Sequence, residues 1–195
     1  MKLAGLHLGH HCAFSILEEG KPTKHIELER IIRQKQPPGD PFQLLTDFYT
    51  DFKKINHFVG IYDGNNHMIP EKYPYAYKMI KQICKSNGGS FHIVDHHQAH
   101  AANAFFSSNL EQSLIVTMDG GGWDHESIVK SGHSTPVTFT IWKGDGTKLT
   151  PVKYFTEFEF NIGATWNLLT KNIFGMSIGW PRGSQVGSVM AMASF

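Results

Sequence analysis

Lys2-Leu3-Ala4-Gly5-Leu6-His7-Leu8 alternates apolar with small or polar residues, Gly9 interrupts it, and Ala13-Phe14-Ser15-Ile16-Leu17 resumes the apolar run. Alternation on both sides of a glycine is the pattern of paired strands. Glu18-Glu19-Gly20-Lys21-Pro22 supplies a turn, and a third strand is expected near residues 25–28. The same order of signals returns later. A strand over 114–118 runs into Asp119-Gly120-Gly121-Gly122, and strands over 137–142 and 152–155 flank the turn Gly144-Asp145-Gly146. Between the two passages, residues 42–55 and 74–86 carry apolar side chains at helical spacing, and 57–62 and 91–94 read as short strands. A further helix is expected over 162–174. The sequence therefore predicts a duplicated α/β architecture, with a first lobe over 1–112 and the start of a second over 113–195.

Composition narrows the function classes. With 195 residues, 41% of them hydrophobic, the chain can fill a real core. A formal net charge of +1, with acids and bases interleaved, provides no basic stripe for a nucleic-acid backbone. The opening MKLAGLHLGHHC has no apolar stretch long enough for a signal peptide or a membrane span, which points to a cytoplasmic protein without a membrane partner. Cys12 and Cys84 form no CxxC pair, so neither a disulfide framework nor a thiolate zinc site is indicated. The unusual feature is 12 histidines, several of them clustered with aspartate and glycine.

In Asp95-His96-His97-Gln98-Ala99-His100-Ala101-Ala102, His96 and His100 stand four apart at the start of an expected helix and share one face of it. Two neutral imidazoles so placed can chelate one divalent ion. No glutamate follows the first histidine, which disfavours an HExxH zinc protease. Asp119, at the carboxyl end of a predicted strand, is the natural third ligand. A His2Asp set suits iron, with zinc or manganese as alternatives. The plainer alternative makes His96 and His97 polar helix-start residues and His100 a half-buried histidine.

Gly120, Gly121 and Gly122 would let backbone N–H groups approach a phosphate, although the run matches neither a Walker A loop nor GxGxxG, and a tight hairpin or bulge explains it equally well. His10 and His11 sit where the first two strands turn, and one of them could be a general base. Arg30, Arg33 and Lys35 form a cationic group suited to phosphate or carbamoyl oxygens; a solvated charged face is its bland counterpart.

Taken in order, these pieces resemble the O-carbamoyltransferases that modify nodulation factors, cephems and aminoglycosides such as tobramycin. Gly5-Leu6 through His10 and Ser15 looks like their strand-then-HDAS opening, and Glu29-Arg30 with Arg33 and Lys35 like their EERxxRxK segment. His96-His97-Gln98-Ala99-His100 through Phe106 is similar to their HHxxHAxxAF helix, and Asp119-Gly120 to the DG strand end. Ile162-Gly163 through Trp166 looks like IGxxY, and Val189-Met190-Ala191-Met192-Ala193 like the last part of GKxMGLA.

The resemblance implies an actin/Hsp70-like, ribonuclease H-like duplicated fold. It also implies that carbamoyl phosphate and ATP give carbamoyladenylate, whose carbamoyl group passes to a hydroxyl-bearing acceptor. By the same resemblance His96, His100 and Asp119 would hold iron, His10 would deprotonate the acceptor, and Lys35 would contact the carbamoyladenylate. Three departures stand out: His11 replaces the aspartate after the first histidine, Ala13 the HDAS serine, and Ser188 the GKxMGLA lysine. The family also continues well beyond a second-lobe start. The chain is accordingly expected to be a fragment, one piece of a split enzyme such as phage genomes carry, completed by a second polypeptide and making little carbamoyladenylate alone. If phage-encoded, it would act in the host cytoplasm. A non-catalytic metal- or nucleotide-binding remnant is the alternative, and a sugar-kinase-like or chaperone-like relative would bind no metal.

Overall fold

A computed structural model of the chain describes residues 1–7, 11–35, 37, 39–61, 74–122, 136–156, 159–179 and 183–192. Strand β1 (Lys2–His7) pairs antiparallel with β2 (Ala13–Glu18), Leu3 opposite Leu17 and Leu6 opposite Phe14. Glu19 and Gly20 both take left-handed backbone, with φ of 50° and 76°. That is the two-residue turn whose twist matches the strands it joins, and it leads into β3 (Lys21–Glu27). Strands β4 (His57–Ile61) and β5 (Phe91–Val94) extend the sheet on the other side of β1, both parallel to their neighbours. The order is β3-β2-β1-β4-β5. The sheet is thus an antiparallel meander extended by parallel strands.

The helices of this part are α1 (Leu28–Ile32), α2 (Pro41–Phe48) and α3 (Pro74–Ser86), with a 3-10 turn over Thr50–Lys54. The helix expected over 42–55 is thus two pieces. Asp40 starts α2 by accepting from the Phe42 and Gln43 N–H groups, and Pro41 fills the first helical position. Tyr49 then leaves helical geometry at φ −138°, ψ 98°, while its hydroxyl donates to Glu18 at 2.8 Å and accepts from Lys2 at 3.1 Å. Tertiary anchoring of the side chain overrides local periodicity there. Leu6, Phe14 and Ile16 from the hairpin, Leu45, Ile55, Phe58 and Ile80 form the buried apolar core. Cys12 lies inside it, and burial pushes its thiol up to about 11.

Helix α4 (His96–Ser107) precedes a second meander of β6 (Gln112–Gly122), β7 (Val137–Asp145) and β8 (Lys148–Thr156), ordered β6-β7-β8 and antiparallel throughout. Helix α5 (Ile162–Leu168) continues into a π-helical turn over Leu169–Ile173. The short β9 (Ile178–Gly179) and β10 (Gly183–Ser184) and helix α6 (Val186–Met192) follow. The protein is mixed α/β. Its two compact units divide at Val94/Asp95, so α4 folds with the strands after it, whereas the 1–112 boundary expected from chain order grouped it with those before. No helix among the described residues is long and apolar enough to cross a membrane.

Candidate metal centre

Along β6, Ile115, Thr117 and Asp119 alternate and therefore project from the same face of the strand. Helix α4 covers that face with the buried stripe His97, Ala101 and Phe105, spaced four apart. His96 and His100 lie one position round the helix, at the rim of the buried contact. Their Nε2 atoms converge on one carboxylate oxygen: His96 lies 2.6 Å from Asp119 Oδ2 and His100 3.4 Å, with 3.2 Å between the two nitrogens. All three candidate ligand atoms fall within 4.8 Å of one another. Donors bound to one ion at metal–ligand lengths near 2.1 Å stand roughly 3–3.5 Å apart; the two His100 distances fall in that range, while the 2.6 Å between His96 and Asp119 is a hydrogen-bond length that an ion would have to open.

Burial by itself raises the Asp119 carboxyl's pKa, but hydrogen bonds from His100, His96 and the Gly120 N–H outweigh it and hold the group well below the usual carboxylate range. The Gly120 N–H lies 2.6 Å from Asp119 Oδ1, which leaves Oδ2 facing the histidines. Asp119 is thus an anion with a fixed orientation, the state a metal ligand needs.

The glycines after Asp119 lie inside β6 and not in a turn, with an irregularity in the pairing between Met118 and Gly122. A Cβ on Gly122 would lie 2.2 Å from His96 Cδ2, and one on Gly163 would lie 2.3 Å from Gly120 Cα. Both contacts are too short for any side chain. Gly122 therefore gives the His96 ring its place, and Gly163 lets the start of α5 press on the strand. Asn161 joins the same two pieces, accepting from Ala164 N–H at 2.8 Å and donating to the Gly120 carbonyl at 3.3 Å. Gly122 is buried against His96, whereas Gly120 and Gly121 are exposed.

His97 was overlooked as a functional group in the sequence. It is fully buried, with Nδ1 2.5 Å from Thr117 Oγ1 and Nε2 2.9 Å from the Val137 carbonyl. Burial pushes its pKa down to about 4. The available signal was Thr117, a hydroxyl two residues before Asp119 on the same strand face.

In the first unit, Arg30, Arg33 and Lys35, with Glu29 and Gln34, line a surface cavity of about 380 Å³. Arg30 is exposed and bridged to Glu27 at 3.0 Å, and Arg33 ends α1 in the left-handed region at φ 58°. The three cations share one concavity. His10 lies outside the described residues; His11 is exposed at a bend, its ring 6.1 Å from that of His7. Ser188 is exposed on α6.

No protein-family model matches the chain. Two curated proteins share part of it. An uncharacterized Synechocystis protein, sll1178, is 32% identical over 77 residues, 39% of this chain and 10% of that protein. Nodulation protein NolNO of Sinorhizobium fredii is 47% identical over 45 residues, 23% of this chain and 7% of that protein. The chain thus spans a tenth or less of either relative's length. Among solved structures, YeaZ from Pseudomonas aeruginosa superposes with a TM-score of 0.42 at 10% identity, over 80% of this chain and 66% of that one. Full-length HypF in its phosphate- and nucleotide-bound form does so with a TM-score of 0.43 at 15% identity, over 77% of this chain and 21% of that one. The chain is therefore a mixed α/β protein with partial sequence similarity to a nodulation protein.

Proposed function

We propose that this chain is the metal-binding amino-terminal part of an ATP-dependent O-carbamoyltransferase. The observation that carries the reading is the convergence of His96, His100 and Asp119, two imidazoles from one helical turn and a strand carboxylate, on a single point. Its support in sequence is the ordered set of motifs resembling nodulation-factor carbamoyltransferases and the short stretch of identity with NolNO.

A divalent ion, iron by preference, would supply Lewis-acid neutralisation of phosphate oxygens in this site. The protein's own groups do the rest. His96 and His100 would turn Nε2 to the ion in place of their contacts with Asp119, Asp119 would bring the balancing negative charge, and the Gly120 N–H keeps that carboxylate from turning away. Arg30, Arg33 and Lys35 offer cations to the phosphate or carbamoyl oxygens of carbamoyl phosphate, ATP or carbamoyladenylate. His10 takes the proton from the acceptor hydroxyl as it attacks the carbamoyl carbon, with adenylate leaving.

Ser188 favours a second reading, a non-catalytic metal- and nucleotide-binding module, because a hydroxyl cannot neutralise phosphate as a lysine would. Calorimetric titration with carbamoyl phosphate separates the two. In the transferase reading the metal-loaded protein binds it, and His96→Ala and His100→Ala abolish binding. Absence of binding to the metal-loaded wild type, or binding that survives both substitutions, contradicts that reading.

A further inference from the structure

His97 sits on the metal-site helix but faces away from the site, into the interior. Its two ring nitrogens contact two different strands: Thr117 of β6 through Nδ1 at 2.5 Å, and the Val137 carbonyl of β7 through Nε2 at 2.9 Å. The contacts continue, because Thr117 Oγ1 lies 2.6 Å from Thr140 Oγ1, and Trp142 Nε1 lies 2.5 Å from the same Thr140 oxygen. His97, Thr117, Thr140 and Trp142 are all buried.

The ends of this chain determine its direction. An indole N–H can only donate and a backbone carbonyl can only accept. Trp142 therefore donates to Thr140, whose proton goes to Thr117, whose proton goes to His97 Nδ1. The His97 proton sits on Nε2 and goes to Val137. Each hydroxyl uses its single proton once, and the row has one consistent arrangement.

We propose that His97, held as the Nε2–H tautomer at the end of this one-way hydrogen-bond row, is the positioning residue that sets the rotation of α4 and so aims His96 and His100 at Asp119. The proposal rests on the metal reading of that site. Its force is geometric. At a radius of about 6 Å, a helix rotation of roughly 20° carries a side-chain tip by about 2 Å, whereas metal–ligand distances are held to within roughly 0.2 Å. The apolar members of the stripe, Ala101 and Phe105, provide contact without direction. The row from Trp142 to Val137 is a directional contact that the helix makes next to the ligands.

The test uses Thr117, which does not belong to the ligand set. Thr117→Val keeps the shape and removes the hydroxyl that joins His97 to the row; Thr117→Ser restores the hydroxyl. Co²⁺ titration followed by the visible spectrum should show Thr117→Val weakened by about 10–100-fold, the effect of losing an outer hydrogen bond to a metal site, with an altered band shape. Thr117→Ser should return to wild-type affinity, and nitrogen chemical shifts of wild-type His97 should place the proton on Nε2. Wild-type Co²⁺ binding with unchanged affinity in Thr117→Val, or a proton on Nδ1, overturns the positioning role alone. No Co²⁺ binding by the wild type overturns the metal reading, and this role with it.

Discussion

Each compact unit contains a three-stranded antiparallel meander, but the two fill the space behind it differently. The Met1–Val94 unit buries Leu6, Phe14, Ile16, Leu45, Ile55, Phe58 and Ile80 in one apolar cluster, and its β1 is flanked by β2 and β4. The Asp95–Phe195 unit packs Ala101, Phe105, Ile115 and Trp142 beside the buried polar groups His97, Thr117 and Thr140. Its β6 pairs with β7 and, among the described residues, with no other strand. Apolar burial is strong and non-directional, so the first unit's interior supplies stability. A satisfied polar row is directional and contributes less net energy, so the second unit's interior supplies geometry.

Phe58→Ala in the first unit should have the largest effect, costing about 3–5 kcal/mol by emptying a fully buried site, read as a lowered urea midpoint. Loss below about 1 kcal/mol would break the contrast, since the apolar cluster would not be what holds that unit. Gly122→Ala comes next: its Cβ would displace the His96 ring, and metal affinity should drop by at least about tenfold, the scale of a disturbed ligand orientation. Gly120→Ala is the control, because its Cβ would meet nothing closer than 4.0 Å. Its affinity should shift by no more than about twofold, as for a neutral substitution. A fall as large as that of Gly122→Ala would place the glycine requirement in the strand and not in the histidine contact.

Smaller effects refine the picture of the first unit. Asp40→Ala removes the acceptor for the Phe42 and Gln43 N–H groups and should cost about 1 kcal/mol, again by urea unfolding. Cys12 and Cys84 are both buried, and burial pushes both thiols above their ordinary value. A thiolate-directed reagent should leave both unmodified in the native protein and label them only on unfolding. Labelling under native conditions would show the apolar cluster to be open.

Much of this organisation was legible in the sequence where the signal is local. The β1–β2 pair, the Glu19-Gly20 turn that leads into β3, helix α3 and strand β5 follow from alternation, helical spacing and turn residues. The meeting of His96, His100 and Asp119 was legible because i, i+4 spacing puts the two imidazoles on one helix face and strand ends gather functional groups. What escaped was set by tertiary contact. Tyr49 breaks a periodic helix because its hydroxyl is claimed by Glu18 and Lys2. The run Gly120-Gly121-Gly122 reads as a loop by composition, yet β6 extends through it, and the small size of Gly122 serves close approach of the His96 ring. His97 reads as a polar helix-start residue, and only the packing of α4 on β6 and β7 shows it buried between Thr117 and Val137.

The central claim is that the second unit's polar interior presents a metal centre. Elemental analysis of the purified protein after anaerobic incubation with Fe²⁺, Zn²⁺ or Mn²⁺ tests it most directly, alongside His96→Ala and His100→Ala. The account predicts one equivalent of metal per chain in the wild type and loss of it in each variant. A metal-free wild type, or full occupancy retained in both variants, would contradict it.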